Sequence, residues 1–240
     1  MPNKNSGLPQ KGSRFYLQQY MLNAKEELSE LILSASPSLV AFIDSKTKIE
    51  WKSPLEKSEK PDKEEFYEYR DDFLEVLGLE EGILGQAKGK VAKFWSKNGP
   101  QWDGLATVVG ADGEKGLLLI EAKAHPDETK SDIKAESKMS IYKIENSIEA
   151  AQRYYGIKPV NWTKQYYQLG NRIAFLYFMN EILHIPTWLV LTNFTQGQYI
   201  TTTLEEWLIH YHNIYSKMGI KHTNHKLLNN IIQIFPNAKD

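Results

Sequence analysis

The sequence predicts an α/β fold: a central mixed β-sheet flanked by helices, with an added N-terminal helix. Three observations carry this. Apolar residues recur at helical spacing in long stretches at both ends of the chain. Between them, Leu117–Ile120 is an unbroken apolar run, as expected of a central strand buried on both faces. Finally, the elements alternate in type along the chain, which favours helices layered on a sheet over separate all-α and all-β parts.

The elements follow in order. Residues 1–13 are polar and loose. From Arg14, the positions Leu17, Met21, Ala24, Leu28, Leu31 and Ile32 make a helical face that stops near Pro37. Ser38–Trp51 reads as a short hairpin, and Lys57–Lys63 as a charged linker. Asp62–Leu79 reads as a helix with Phe66, Phe73, Leu74 and Leu77 on one side. Gln86–Lys97 is basic, with Val91, Phe94 and Trp95 interleaved. Two strands, Trp102–Val109 and Gly116–Lys123, flank the Ala111-Asp112-Gly113 turn. A helix capped by Ser140 runs to about Tyr155. Trp162–Leu183 is a longer helix, Pro186–Phe194 a strand and Thr203–Lys217 a helix. Lys226–Phe235 is either helix or strand. The whole, 1–240, reads as one domain: an addition at 14–50, a core at 51–195 and helical elements at 196–240.

Composition narrows the chemistry. The chain has 240 residues, is 41% hydrophobic and contains no cysteine. Disulfides, thiolate-ligated zinc and cysteine nucleophiles are excluded. No apolar run reaches the ~18–20 residues of a membrane span, and MPNKNSGLPQKGSRF lacks the apolar core of a secretory signal. A cytoplasmic protein without a membrane partner is expected. Net charge is −1. Residues 151–240 carry 8 Lys/Arg against 4 Asp/Glu, and residues 1–150 carry 21 against 26. That balance is too even for a general polyanion binder, but it permits a localised groove. There is no Walker A, G-x-G-x-x-G or G-x-S-x-G motif.

The informative stretch is Gly99-Pro100-Gln101-Trp102-Asp103, followed by Glu121-Ala122-Lys123-Ala124-His125. Side chains alternate along a strand, so Glu121 and Lys123 share a face. A hairpin at Asp112-Gly113 brings Asp103 toward Glu121. Burying such charges costs several kcal/mol each unless they are paired or bound to metal. Asp103, Glu121 and the Ala122 carbonyl suit a hard divalent cation, Mg²⁺ or Mn²⁺. Lys123 is placed to orient a water or to stabilise negative charge. The alternative for Glu121 and Lys123 is an ordinary surface pair.

Asp103…Glu121-Ala122-Lys123 resembles the PD-(D/E)xK, or restriction-endonuclease-like, nuclease superfamily. The resemblance extends over about residues 50–195, through Trp51-Lys52-Ser53-Pro54-Leu55, Glu68-Tyr69-Arg70-Asp71 and Tyr167-Gln168-Leu169-Gly170-Asn171-Arg172, to a bacterial branch of that superfamily. One departure is that Gln101 and Trp102 separate Pro100 from Asp103. The resemblance implies a restriction-endonuclease-like core and a Mg²⁺-dependent nuclease acting on nucleic acid, DNA before RNA. Asp103 and Glu121 would bind metal and Lys123 would assist the water. It also implies a further acid from the helix preceding the first core strand. That acid is Glu68, with Asp72 and Glu65 as alternatives.

Other residues divide between functional and structural readings. Gln168, Asn171 and Arg172 line one helical face, either toward substrate phosphate or as a buried polar network. Lys93, with Lys88, Lys90, Lys97, Phe94 and Trp95, either tracks a phosphate backbone or forms an amphipathic helix on the sheet. His125 reads as a surface residue before a proton relay, and Glu128 as a brace for its loop. His210, His212, His222 and His225 read as core or surface histidines. Two rival functions remain: a binding or scaffold protein that keeps the fold without cleavage, and a hydrolase of small nucleotides. A homodimer is compatible with cutting both strands.

Overall fold

The computed structural model describes residues 3–4, 11–44, 46–56, 66–68, 72–96 and 99–239. The expected linker at 57–63, the alternative acid Glu65, the tail of the basic segment at Lys97 and residues 1–2 and 5–10 of the expected loose N-terminus lie outside these residues. The helices are α1 (Ser13–Asn23), α2 (Lys25–Ser34), α3 (Pro37–Phe42), α4 (Glu81–Phe94), α5 (Lys138–Tyr154), α6 (Tyr167–Tyr177) and α7 (Leu204–Lys217). The strands are β1 (Asn3–Lys4), β2 (Glu50–Ser53), β3 (Leu55–Glu56), β4 (Phe66–Glu68), β5 (Gly104–Val109), β6 (Lys115–Lys123), β7 (Thr187–Asn193) and β8 (Ile231–Ile234).

The central sheet is mixed, with strand order β2-β5-β6-β7-β8. β2, β5 and β6 run antiparallel, whereas β6, β7 and β8 are parallel. The β5–β6 hairpin turns at Gly113, whose φ of +86° favours a residue without Cβ. Asp112 Oδ1 accepts from the Glu114 N–H at 3.0 Å and fixes that turn. The β6-to-β7 connection is long because parallel neighbours need a crossover; α5 and α6 supply it. β1, β4 and β3 form a separate three-stranded sheet.

β6 divides its side chains between two cores. Leu117 and Leu119 join Leu105, Leu189 and Leu191 against α5, α6 and α7. Leu118, Ile120, Ala122 and Ala124 join Ala106, Val108, Trp188 and Val190 against α1 and α2. Helices therefore cover both faces of the sheet, as expected for an apolar strand such as Leu117–Ile120.

Several expectations are corrected. The single helix from Arg14 is two helices, broken at Ala24 with φ −154°. The break lets Tyr16, Leu17, Tyr20 and Met21, and then Leu28 and Ile32, reach the same core. The hairpin at 38–51 does not form. Ser36 Oγ accepts from the Leu39 N–H at 3.2 Å and Pro37 opens α3, while β2 pairs with β5 instead. The helix at 62–79 is replaced, within the described residues, by β4 and a 3₁₀ turn over Phe73–Leu77. That turn buries Phe73, Leu74 and Leu77, and ends at left-handed Gly78. α5 is capped by Ser137 rather than Ser140, which donates its N–H to Ser137 Oγ. The long helix from Trp162 starts only at Tyr167, because Asn161 Oδ1 takes the Thr163 N–H and hydroxyl and holds a turn there. α6 continues into a π-helical turn at Phe178–Ile182. Lys226–Phe235 resolves into a 3₁₀ turn followed by β8. Among the described residues, no helix is long and apolar enough to cross a membrane.

Candidate active site

Asp103 ends the approach to β5, and Glu121 and Lys123 lie near the end of β6. Gly104 pairs with Ile120, so one more step of the antiparallel register puts Asp103 opposite Glu121. Asp103 Oδ2 accepts from the Ala122 N–H at 2.8 Å, which ties the two strands beyond their ladder. An N–H and a C=O of one strand residue point the same way. The Ala122 carbonyl is thus turned to the edge where Asp103 stands. No other hydrogen bond engages the Asp103 carboxylate among the described residues.

Glu121, by contrast, is fully engaged. It is 4% exposed. Oε1 is ion-paired with Lys123 Nζ, and Oε2 accepts from Arg172 Nε at 2.7 Å. Lys123 is 9% and Arg172 3% exposed, so two cations and one anion share an almost dry site. Arg172 has further partners. It donates to Asn171 Oδ1 at 2.8 Å and to the Gln101 carbonyl at 2.5 Å. Its guanidinium lies 4.6 Å from the centre of the Trp102 ring. α6 is thereby clamped to β6 and to the segment entering β5.

The electrostatics follow from this crowding. Burial and the neighbouring Glu121 push the Asp103 carboxyl up to about 7, against partial relief from Lys123, Ala122 and Arg172. Burial pushes Glu121 up too, but Arg172 and Lys123 outweigh it and hold that carboxyl below its ordinary value. Burial pushes Lys123 down, yet Glu121 and Asp103 outweigh it and keep the ammonium above its ordinary value. At neutral pH the site holds one firm carboxylate, two firm cations and one carboxyl poised between its forms.

Asp103, Glu121, Lys123, Asn171 and Arg172 therefore meet in one place. Gln168 is half-buried at the start of α6, its N–H donating to Ser131 Oγ at 2.8 Å. Of the two readings of this face, the buried network describes Asn171 and Arg172. Glu68 is corrected: it lies on β4, paired with Asn3 of β1, not on a helix. Its side chain lies outside the described residues. Asp72 immediately precedes the 3₁₀ turn at Phe73. Lys93 is exposed on the last turn of α4. Lys88 pairs with Glu75 at 2.6 Å, and Lys90 donates to the Ile182 carbonyl at 3.0 Å. Phe94 stacks on Phe178 at 4.3 Å and Trp95 is buried, so these aromatics serve the core and not a stacking surface.

Five of the six histidines have structural roles. His125 Nδ1 accepts from the Asp127 N–H at 3.2 Å, and Glu128 Oε2 accepts from Ala124 at 3.2 Å, bracing the loop after β6. His210 Nε2 and Thr129 Oγ1 are 2.8 Å apart. His212 bonds Lys221, and His225 packs on Tyr154. His222 closes the 3₁₀ turn that begins at Ile220. Among the described residues, no three His, Asp or Glu side chains gather to hold a metal.

Two residues beside the site escaped the sequence reading. Asn193 is fully buried at the end of β7, directly across from Lys123. It accepts from the Tyr211 hydroxyl at 2.8 Å. A polar residue closing an apolar strand is the same signal that marked Glu121 and Lys123, and it could have marked Asn193. No family model, curated protein or solved structure matches the chain.

Proposed function

We propose that the chain is a divalent-metal-dependent nuclease with a restriction-endonuclease-like core, hydrolysing phosphodiester bonds in nucleic acid, with DNA as the favoured substrate. The observation that supports this best is the meeting of Asp103, Glu121 and Lys123 at one end of the β5–β6 hairpin. The donor set fits a hard cation: the free oxygen of Asp103, the Ala122 carbonyl and the Glu121 carboxylate would hold Mg²⁺ or Mn²⁺. Two carboxylates and a carbonyl make a partial shell, which leaves positions for water and a phosphoryl oxygen. A metal bound there would polarise the phosphoryl oxygen and lower the pKa of a bound water.

The chain's own residues do the rest. Of the two cations on Glu121, Arg172 keeps other partners in Asn171, Gln101 and Trp102, whereas Lys123 hydrogen-bonds Glu121 alone among the described residues. Lys123 is therefore the cation that gives way, swinging its ammonium toward the attacking water or the developing phosphorane charge. Arg172 stays and fixes the Glu121 carboxylate, which makes it a positioning residue. Asp103, poised near neutrality, loses its proton at little cost when an ion or substrate needs the anion.

The test is incubation of the full chain with plasmid, single-stranded DNA and RNA in Mg²⁺ or Mn²⁺, beside Lys123→Ala. Cleavage abolished in Lys123→Ala is expected; cleavage unaffected by it refutes the site. Calorimetry with Mn²⁺ should show binding that Asp103→Asn largely removes. Equal binding by both chains means that Asp103 is no ligand. The full neutralisation of Glu121 by Lys123 and Arg172 is what favours the rival reading, a nuclease-fold scaffold, and metal binding without cleavage of any substrate would select it. Hydrolysis of free nucleotides alone would select a small-nucleotide hydrolase.

A further inference from the structure

We propose that α7 is the interface through which two copies of this chain pair. One face of α7 packs Trp207, Tyr211 and Ile214 into the core. The side turned away from the core leaves large apolar groups in water: Leu208 is 50% and Ile209 56% exposed, about 100° apart around the helix, with Glu205 and His212 between them in angle. A helix carrying apolar residues on both sides has a second surface to cover.

The charges on that surface point to a second copy as its occupant. Consider two α7 helices packed antiparallel about a two-fold axis midway between Leu208 and Ile209. Leu208 of each copy then faces Ile209 of the other. Glu205 lies as far before that midpoint as His212 lies after it, about 5 Å along the axis in each direction at 1.5 Å per residue. The two-fold therefore sets Glu205 of each copy against His212 of the other. His212 is bonded at 2.9 Å to Lys221, so the partner of each Glu205 is a cationic pair whatever the state of the imidazole. Two-fold interfaces require such self-complementarity: one surface must satisfy itself when inverted. α7 does so in both its apolar centre and its flanking charges.

The helix is also built as a rigid platform. Thr203 and Glu206 form a reciprocal capping box at its N-terminus. Trp207 Nε1 donates to the Phe194 carbonyl at 2.9 Å, and Tyr211 bonds Asn193. Little ordering is needed on pairing, although one helix pair is small and belongs among the weaker associations. This inference does not rest on the nuclease reading; it concerns a surface separate from the buried site.

Sedimentation equilibrium of the full chain, run up to ~100 µM, tests it. The weight-average mass should climb from 27.7 kDa toward twice that value. Leu208→Glu should weaken association at least tenfold, as should Ile209→Glu. Glu205→Lys should also weaken it, and the double variant Glu205→Lys/Lys221→Glu should restore it. The positions replaced are exposed, and circular dichroism verifies that each variant folds. A mass fixed at 27.7 kDa across the range overturns the proposal, as does a dimer indifferent to Leu208→Glu. A monomer that binds lipid vesicles through this face overturns it in favour of a membrane.

Discussion

Replacing Arg172 with methionine removes a charge while keeping much of the side chain's volume, and it tests whether the buried clamp holds the sheet edge together. Arg172 donates to Glu121 and Asn171, reaches the Gln101 carbonyl and covers the Trp102 ring. Breaking one partner of a buried ion pair costs about 3–5 kcal/mol, because the other charge is left without compensation. Lys123 still faces Glu121 in the variant, so the lower end of that range applies, about 3 kcal/mol. A domain stable by about 5–15 kcal/mol would survive that loss but unfold at clearly lower urea. Glu121→Gln alone should also be destabilising, since it leaves two cations buried together. In the double variant the uncompensated charge is reduced, so its cost should fall short of the sum of the singles by about 1–3 kcal/mol. The assay is urea unfolding of all four proteins at pH 7. A cost below about 1 kcal/mol for Arg172→Met, or strict additivity in the cycle, would refute the account of the clamp.

Three further outcomes follow from particular contacts. Asp103 has a folded-state pKa near 7, raised from its ordinary value; its stabilising contribution is complete below the unfolded carboxyl pKa and is lost as pH rises through 7. Wild type should thus lose stability between pH 4 and 8 relative to Asp103→Asn, by at most about 4 kcal/mol and less where solvent reaches the carboxyl; parallel pH profiles for the two proteins would contradict this. A Cβ on Gly170 would sit 2.9 Å from Trp162 Cβ and 3.3 Å from its carbonyl. Gly170→Ala should therefore lower the melting temperature, because overpacking at about 1–3 kcal/mol exceeds the ~1 kcal/mol gained in helix propensity. Thr203→Ala removes the capping-box hydroxyl of α7 and should cost about 1 kcal/mol in chemical unfolding, with no change in the denaturant slope.

The parts of the fold legible in the sequence were those set by local rules. Leu117–Ile120 announced a strand buried on both faces, and Asp112-Gly113 announced its hairpin. Strand alternation then placed Glu121 and Lys123 together, and the hairpin brought Asp103 to them. The errors arose where a short apolar run fits two periodicities. Leu39–Phe42 looks like strand, yet Ser36 and Pro37 form a helix start that outranks it. Phe73, Leu74 and Leu77 suit a long helix, but one 3₁₀ turn buries them equally well. Arg172 on Glu121 could not be foreseen, since a contact across 51 residues depends on how α6 crosses the sheet. Phe94 and Trp95 left two readings open for a related reason: lysines between aromatics describe both a nucleic-acid track and a helix with its lysine stems over a core.

Because β6 feeds both cores, the N-terminal helices are structural members and not an accessory. Were residues 13–34 removed, Leu118, Ile120, Ala122 and Val190 would face water from the middle of the sheet. The strand that presents Glu121 and Lys123 would then be exposed along its whole opposite side. Melting should consequently be all-or-none, with no separately folding half to be cut out by proteolysis. Hydrogen exchange has the same signature: amides of β6 and those of α1 and α2 should open in one event, at the free energy of global unfolding. The position of the charged site is thus set in part by helices far upstream in the sequence, packed on the opposite face of the strand that carries it.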